Sequence, residues 1–328
     1  MVVQFKPRLA KFKQLAADHL AYFFKEQKVM TEVFAGNPVI RHKYTADPAA
    51  IVHNGMVYMY TGHDEPPDGV EDYVMNDWLC FSSKDMVHWE EHPVPLRAAD
   101  LVWSKGGAYA SQVVERNGRF YWYVAVSHGS IPGKAIGVAV ADKPEGPFFD
   151  AIGQALITNE TIGAPGENKN NLDPTVLIDD DGQAWLFWGN SQCYYAKLKE
   201  NMTELDGPVQ KIQIPQFTEG AWIHKRGDWY YLLYGYDFPE KIGYAMSRHI
   251  DGPWEFKGII CELAGNCKTH SPSILEYKDQ HYFIYHNGGL PQGGSHRRSV
   301  CIDYLYFNED GTIQKIEMTT EGIQKVPD

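Results

Sequence analysis

One hairpin pattern recurs five times along the chain, and this repetition restricts the fold more than any other feature. In each copy a largely apolar residue pair closes a short strand, a turn follows, and an aromatic-rich strand runs back. The five pairs are Ile51-Val52, Val113-Val114, Leu177-Ile178, Ile223-His224 and Ile274-Leu275. A repeat of about 40–50 residues that carries several strands is typical of one blade of a β-propeller. The sequence therefore predicts an all-β fold, a five-bladed β-propeller.

The repeats begin near residue 35, which divides the chain into two parts. We expect residues 1–34 to be an N-terminal helical appendage, because residues 8 to 28 space apolar side chains three to four positions apart. Residues 35–328 are predicted to form the propeller as a single catalytic domain. In the fifth blade, the sequence predicts a final strand over residues 312 to 316.

Charge and cysteine content restrict the class of partner and the compartment. The formal net charge of −12 argues against a nucleic-acid partner, and no segment is long and apolar enough to span a membrane. The five cysteines are odd in number and scattered, without metal-binding spacing, so we expect reduced, buried thiols. These features favour a cytoplasmic protein, or an extracellular or periplasmic one if a leader has been removed from this sequence.

One residue stands four positions ahead of each repeated pair, and these five residues are expected to meet. They are Asp47, Tyr109, Asp173, Glu219 and His270. In a propeller the first strand of each blade lines the central channel, so residues at the heads of these strands form a ring at one mouth. Strand alternation brings further segments to the same rim: Gly62-His63-Asp64, Ser127-His128, Asn190, Gly235-Tyr236-Asp237, His286-Asn287 and Arg297-Arg298.

Three carboxylates in one ring point to acid–base chemistry. Each pair repels by about 1 kcal/mol even in water at about 4 Å, and burial adds to this, so at least one carboxyl is expected to stay protonated near neutral pH. An acid facing a base is the equipment for cleaving a glycosidic bond. Taken singly, Asp47 and Asp173 also suit a structural role, because each precedes a proline at the start of a strand. Glu219 has no such turn requirement.

The other candidate residues are expected to bind a ligand or to shape the pocket. His270 is either a hydrogen-bonded core residue or a ligand for a metal ion or water in the channel. Tyr109 is expected to form a pocket wall, and Trp103 to stack on a sugar ring. His128 and Asn190 are candidate substrate-binding residues at the rim.

Several motifs together resemble the glycoside hydrolases of family 43, over residue 35 to the end of the chain. They are Asn37-Pro38-Val39-Ile40, Ala46-Asp47-Pro48, Leu172-Asp173-Pro174-Thr175, Thr218-Glu219-Gly220-Ala221-Trp222, Thr269-His270-Ser271-Pro272 and Arg298-Ser299-Val300. The chain is most similar to the branch of β-xylosidases and α-L-arabinofuranosidases that acts on xylan and arabinoxylan fragments.

This resemblance implies an inverting mechanism and a role for each matched residue. Asp47 would be the general base, Glu219 the general acid, and Asp173 the carboxylate that orients the acid and raises its pKa. His270 would bind a calcium ion directly or through water, and Arg298 would contact the substrate. The resemblance implies a small oligosaccharide substrate and no organic cofactor. Tyr109-Ala110-Ser111 departs from the family's Trp-Ala-Pro, which puts the shape of the outer subsites in question.

Three alternatives stay open from the sequence. A non-catalytic glycan-binding propeller would reuse the aromatic pocket but would not need three like charges. A retaining invertase-type fructosidase also uses three acids, and its nucleophile and acid would stand about 5–5.5 Å apart, against about 6.5–9.5 Å for inversion. A scaffold propeller for protein partners predicts no turnover of any glycoside.

Overall fold

The computed structural model describes residues 36–327, which form five sheets arranged as a five-bladed β-propeller. All strand pairs are antiparallel except one short parallel pair in the second sheet. The predicted fold class is confirmed for these residues, and the predicted N-terminal helix lies outside them. Blade one contains β1 (Thr45–His53), β2 (Met56–His63), β3 (Asp77–Ser83), β4 (Glu90–Glu91) and β5 (Leu96–Arg97). A 3-10 helix, Ala98–Asp100, leads into the second blade.

The remaining four blades follow in chain order. Blade two contains β6 (Ser104–Gly106), β7 (Ser111–Arg116), β8 (Arg119–His128), β9 (Gly133–Ala141), β10 (Phe149–Asp150) and β11 (Lys169–Asn170). Blade three contains β12 (Thr175–Ile178), β13 (Ala184–Gly189), β14 (Cys193–Leu198) and β15 (Gln210–Ile212). Blade four contains β16 (Trp222–Arg226), β17 (Trp229–Tyr236), β18 (Lys241–Ser247) and β19 (Glu255–Cys261). Blade five contains β20 (Ser273–Tyr277), β21 (Gln280–Asn287) and β22 (Ser299–Leu305).

The repeated hairpins form because their turns carry residues that tolerate a left-handed backbone. Asn54 and Gly55 have φ of 50° and 74°, and Asn117 and Gly118 have φ of 53° and 76°. Positive φ at both central residues matches the twist of antiparallel strands, which is why Asn-Gly turns favour tight hairpins. The two turns join β1 to β2 and β7 to β8.

The innermost strands of the blades close into a ring. β1 contacts β7, β7 contacts β12, β12 contacts β16, β16 contacts β20, and β20 returns to β1. The segment ahead of β1 fastens this closure, because the Val39 N–H donates to the Val300 carbonyl at 2.8 Å and the Thr45 N–H to that of Arg298 at 2.9 Å. The heads of the five innermost strands therefore surround one central opening.

The predicted fourth strand of blade five, residues 312 to 316, is wrong. Ile313 there forms an isolated bridge to Phe307 and does not extend β22 into a further ladder. The edge of β22 is instead taken by the segment that precedes β1, with Asn37 and Val39 bonded to Ile302 and Val300. A strand edge can be paired only once, so closure of the ring by residues 37–45 displaces the predicted strand.

The apolar core lies between neighbouring blades, in five clusters that correspond to the five blade junctions. Trp78 and Trp122, from blades one and two, are fully buried against each other with ring centroids 5.9 Å apart. Burying such a side chain stabilises the fold by roughly 1.5–3 kcal/mol. This packing fixes the angle between blades, and with it the position of the strand heads.

The structure bears on two sequence predictions, the state of the cysteines and the lack of a membrane-spanning segment. All five cysteines are buried and free of disulfides, as predicted. In the part of the chain that the structure describes, no helix is long and apolar enough to cross a membrane. The cytoplasmic location itself stays a prediction.

Candidate active site

Irregular backbone at the heads of three inner strands turns three carboxylates out of the regular sheet. Asp47 has φ of 49° and Asp173 has φ of 54°, left-handed values that cost most residues roughly 1–2 kcal/mol. The ladder between β1 and β2 skips Asp47-Pro48, since Ala46 pairs with Gly62 and Ala49 with Tyr60. Glu219 instead precedes Gly220, whose φ is 65° and where an added Cβ would lie 3.0 Å from the His270 carbonyl oxygen.

The five strand heads predicted to form a ring line one pocket. Its cavity measures about 190 Å³, which is below the roughly 300–1,000 Å³ typical of pockets for drug-sized ligands and suits a single sugar ring. The residues that line it are Asp47, Tyr73, Tyr109, Ala110, Lys134, Asn170, Leu172, Asp173, Asn190, Glu219, Gly220, Glu240, Thr269, His270, Ser271 and Arg298. The structure thus brings Asp47, Asp173 and Glu219 together, although they come from three different blades.

On one side of the pocket, Asp47 is paired with a buried arginine. Arg298 Nη1 lies 2.9 Å from Asp47 Oδ1, while Nε and Nη2 of Arg298 lie 2.9 Å from the two oxygens of Asp64. Burial raises the pKa of Asp47, and the charge of Arg298 opposes that rise. For Asp64, burial also works against ionisation, but the charge and hydrogen bonds of Arg298 outweigh it and lower its pKa. Arg298 therefore favours the ionised form of Asp47.

His286 supports Asp47 without adding charge. Its Nδ1 accepts the Asp47 backbone N–H at 3.2 Å, and its Nε2 donates to the Thr269 carbonyl at 3.0 Å. These partners fix the tautomer with the proton on Nε2, and burial lowers the pKa of His286 to about 3. The 3.4 Å contact between His286 Nδ1 and Asp47 Oδ1 is therefore not an ion pair at neutral pH.

On the other side of the pocket, Glu219 and Asp173 are held by neutral donors. Asn190 Nδ2 donates to Glu219 Oε2 at 2.7 Å, and the Gly220 N–H donates to Asp173 Oδ2 at 2.6 Å. Burial raises the pKa of Glu219, with the charge of Asp47 adding to the rise. Burial and the charge of Glu219 hold the pKa of Asp173 well above its usual value. This side of the pocket therefore retains a proton more readily than the Asp47 side.

A fourth pocket carboxylate, Glu240, was not found by sequence reasoning. It is 2% exposed, and its Oε2 accepts the His270 backbone N–H at 2.8 Å. Burial, reinforced by the charge of Glu219, raises the pKa of Glu240 to about 8. No signal in the repeat could have found it, because Glu240 lies outside the strand heads, in the loop between β17 and β18.

Two further pocket residues come from loops or outer strands. Tyr73 lies in the loop between β2 and β3, and the guanidinium of Arg298 sits 5.0 Å from its ring centroid. Lys134, on β9, places its Nζ 3.7 Å from the ring centroid of Tyr109. The motif that departs from the family pattern, at Tyr109, therefore forms a cation–π pair at the pocket wall.

Trp103 and His128, predicted to bind substrate, do not line this pocket. The Trp103 Nε1–H donates to Asp150 Oδ2 at 3.0 Å, its ring packs against Gly137, and its centroid lies 5.5 Å from that of His128. His128 Nδ1 accepts the backbone N–H groups of Ser130 and Ile131. Both side chains are engaged in holding blade two together, because the loop before β7 folds back over β9. Tyr109, Asn190 and Arg298 do line the pocket.

His270 has the properties of a residue that could coordinate a cation. It is 1% exposed, and within residues 36–327 neither of its ring nitrogens has a hydrogen-bond partner. Burial lowers its pKa well below the ordinary value, so the ring is neutral, the form that coordinates metals. Calcium prefers oxygen ligands, and the carboxylate of Glu240 lies beside the His270 backbone. These residues fit a hydrated divalent cation in the central channel.

Comparison with known proteins matches this arrangement to one family. The profile of glycosyl hydrolases family 43 covers residues 35–313. A β-D-galactofuranosidase of Aspergillus niger is 29% identical over 88% of this chain and 87% of its own length, and a xylosidase/arabinosidase of Humicola insolens is 29% identical over 84% of this chain and 98% of its own.

Solved structures agree. An α-L-arabinofuranosidase of Clostridium thermocellum is 34% identical with a TM-score of 0.71, and covers 88% of this chain and 98% of its own. A β-xylosidase/α-arabinofuranosidase from a compost microbial metagenome, solved with xylotriose in a calcium-free form, is 27% identical with a TM-score of 0.77 over 87% of this chain and 98% of its own.

Proposed function

Because the chain belongs to glycosyl hydrolase family 43 and is a glycosidase, we propose that it releases terminal arabinofuranose or xylose from short xylan- or arabinoxylan-derived oligosaccharides, with inversion. The observation that carries this proposal is the convergence of Asp47, Asp173 and Glu219 on a cavity of about 190 Å³. A cavity of that size favours cleavage at the end of an oligosaccharide. It has room for one sugar ring, so the rest of the substrate would lie outside it.

Asp47 acts as the general base. Its contact with Arg298 at 2.9 Å favours the ionised form and opposes the rise in pKa that burial causes. In the ionised form Asp47 can accept a proton from water on the face of the sugar opposite the leaving group. The carboxylate stays oriented because Arg298 is itself fixed by two oxygens of Asp64.

Glu219 acts as the general acid. Burial and the charge of Asp47 raise its pKa, which keeps a proton available for the glycosidic oxygen at the moment that the bond breaks. Asn190 occupies Glu219 Oε2, which leaves the other oxygen to carry the proton. Inversion follows when water, activated by Asp47, attacks as Glu219 protonates the departing oxygen.

Asp173 is the positioning carboxylate of the acid. It accepts the N–H of Gly220, the residue next to Glu219, and so ties the acid's backbone to blade three. Whenever Asp173 is ionised, its charge opposes ionisation of Glu219, and the reverse holds equally.

A calcium ion in the channel would be held by His270, directly or through water, with oxygen ligands completing its shell. When bound, such an ion supplies positive charge beneath the acidic pocket. The proposal for His270 rests on its two buried, unpartnered ring nitrogens.

The relatives and neighbours support a pentose substrate and add a second candidate. Structures similar to this chain were solved with xylotriose and with xylose, and another is named an α-L-arabinofuranosidase. The relative from Aspergillus niger is named a β-D-galactofuranosidase, so a galactofuranoside belongs in any substrate panel.

The function is tested by hydrolysis of 4-nitrophenyl α-L-arabinofuranoside, β-D-xyloside and β-D-galactofuranoside, with the anomer first released followed by NMR. We expect turnover of at least one pentoside with inversion, and loss of turnover of unactivated xylo-oligosaccharides in Glu219→Ala. Retention of configuration would remove the water-activating role from Asp47, and absence of turnover with every glycoside, xylo-oligosaccharides included, would favour a binding protein.

A further inference from the structure

A cluster of metal-ligating side chains lies outside the pocket, at the root of the loop that joins β2 to β3. His63 Nδ1 lies 2.9 Å from Asp77 Oδ1 and 3.7 Å from Glu65 Oε1, and the three ligand atoms all lie within 4.8 Å of one another. We propose that His63, Glu65 and Asp77 bind a divalent transition-metal ion, with zinc the best match. This inference does not depend on the substrate proposed above.

The spacing suits one ion bound by three protein ligands. Zinc binds imidazole nitrogen and carboxylate oxygen at about 2.0–2.2 Å, so two ligands of one tetrahedral ion stand roughly 3.4 Å apart. The separations of 2.9 and 3.7 Å lie on either side of that value. One imidazole and two carboxylates leave the fourth position to water. Binding would displace the proton that His63 Nδ1 shares with Asp77, and the neutral imidazole would then carry its single proton on Nε2.

The fold brings the three ligands together before any ion binds. His63 is the last residue of β2 and Asp77 the first of β3, one step beyond the pair Gly62 and Trp78 in the antiparallel ladder. The chain leaves the sheet after residue 63 and returns at residue 77, so the ligands hold the two ends of one loop. A cavity of about 520 Å³, lined in part by His63 and Glu65, connects the cluster to solvent.

The position of the cluster couples it to the pocket. Asp64 stands between the ligands His63 and Glu65, and its carboxylate holds Arg298. The clamped loop also carries Tyr73, which lies over the guanidinium of Arg298. An ion at the loop root would therefore fix the backbone of Asp64 and, through it, Arg298, the cation that favours the ionised form of Asp47.

A simpler role for His63 and Asp77 is a hydrogen bond without metal, and the two roles predict different behaviour. The hydrogen bond needs no third residue, whereas a metal site needs Glu65, whose side chain is 40% exposed. Glu65→Gln therefore separates the roles, because an exposed position tolerates this change in the fold and only a metal site loses affinity.

The test uses protein stripped with a chelator and equilibrated with Zn²⁺, and separately with Mn²⁺, followed by metal analysis and thermal unfolding. His42→Gln is the control, because His42 lines the same cavity but is not one of the proposed ligands. Wild type and this control should bind one more equivalent of Zn²⁺ than Glu65→Gln and Asp77→Asn. Zn²⁺ should raise Tm more in the first two proteins than in the others, and its affinity for this site should be at least tenfold weaker in Glu65→Gln.

The difference among variants is decisive because His270 offers a second place for a metal. Equal Zn²⁺ stoichiometry and equal Tm shifts in wild type, Glu65→Gln and Asp77→Asn would overturn the proposal, as would failure of wild type to bind Zn²⁺ or Mn²⁺. Circular dichroism of each variant in chelator checks that the fold is intact.

Discussion

The two sides of the pocket hold carboxylates of equal formal charge in opposite ways. At the junction of blades one and five, Asp47 contacts the guanidinium of Arg298 at 2.9 Å. At the junction of blades three and four, Glu219 and Asp173 receive hydrogen bonds from the Asn190 amide and the Gly220 N–H. Both sides are buried, so burial alone cannot separate their roles.

The difference teaches that the placement of one cation decides which acid works as a base. Burial opposes ionisation throughout the pocket, and Arg298 opposes that effect through direct hydrogen bonds at Asp47 and Asp64. On Glu219 it acts through its charge only. The pocket region contains five carboxyl groups, Asp47, Asp64, Asp173, Glu219 and Glu240, against the cations Arg298 and Lys134. The side of Glu219 and Asp173, which has no direct ion pair, is where protons are retained.

The largest expected effect on activity comes from replacing Asp47, the carboxylate that is paired with Arg298. Asp47→Asn keeps the shape and the contact with Arg298 but cannot accept a proton, and general base catalysis contributes about 10²–10⁴-fold. We expect kcat to fall by about 10³-fold or more with KM changed little, as measured with a nitrophenyl pentoside. Unchanged kcat would mean that the base lies elsewhere.

Removing the cation should erase the asymmetry between the two sides. Arg298→Met leaves Asp47 buried without its partner, so its pKa rises and the acidic limb of the kcat/KM profile moves to higher pH. Breaking a buried ion pair also costs roughly 3–5 kcal/mol of stability, and we expect activity at neutral pH to fall about 10²-fold. Arg297→Met is the matched control, since Arg297 donates to the Pro66 and Pro67 carbonyls and should leave the profile in place.

A smaller change sharpens the comparison from the acid side. Asn190→Ala removes the donor to Glu219 Oε2, a hydrogen bond that lowers the pKa of Glu219. The basic limb of the kcat/KM profile should therefore move to higher pH, and kcat should fall about tenfold, the size expected for a hydrogen bond to a charged group. Asn201→Ala is the matched control, since it removes an Asn–Glu hydrogen bond, to Glu204, on the surface. A basic limb that moves to lower pH would contradict the assignment.

The smallest effect concerns stability rather than rate. Glu240 has a folded-state pKa of about 8, above the roughly 4.3 of an unfolded chain. Its contribution to the stability of the fold is therefore fully present below about pH 4.3 and is lost as pH rises to 8. Glu240→Gln should remove that loss of stability. The Tm of the variant should therefore exceed that of wild type by a margin that grows between pH 5 and 8, which corresponds to up to a few kcal/mol in the free energy of unfolding. The exposed Glu309→Gln should show no such trend. A constant offset across this range would leave Glu240 with a packing role alone.

The sequence predicts the fold and the ring of strand heads because both follow from one period. Asp47, Tyr109, Asp173, Glu219 and His270 occupy one repeat position, and a closed ring of blades must bring such positions to one opening. The same logic recruits Asn190 and Arg298 from strand ends at that face. These residues could be predicted without knowing how any loop folds.

Residues positioned by irregular segments could not be predicted in this way. Glu240 lies in a loop between strands, and Trp103 in a loop that folds back onto β9. The prediction of a strand at residues 312 to 316 failed because the edge of β22 is paired with the segment ahead of β1, which is distant in sequence. Contacts of this kind depend on tertiary packing, which a period of apolar residues does not encode.

The most direct test of the division between base and acid varies the leaving group in two variants, Glu219→Ala and Asp47→Ala. A 2,4-dinitrophenyl pentoside departs without protonation, whereas an unactivated disaccharide needs an acid. We predict that Glu219→Ala keeps much of its kcat on the activated substrate while losing about 10³-fold or more on the disaccharide, and that Asp47→Ala loses activity on both. The reverse pattern, with Asp47→Ala spared by the better leaving group, would contradict the account.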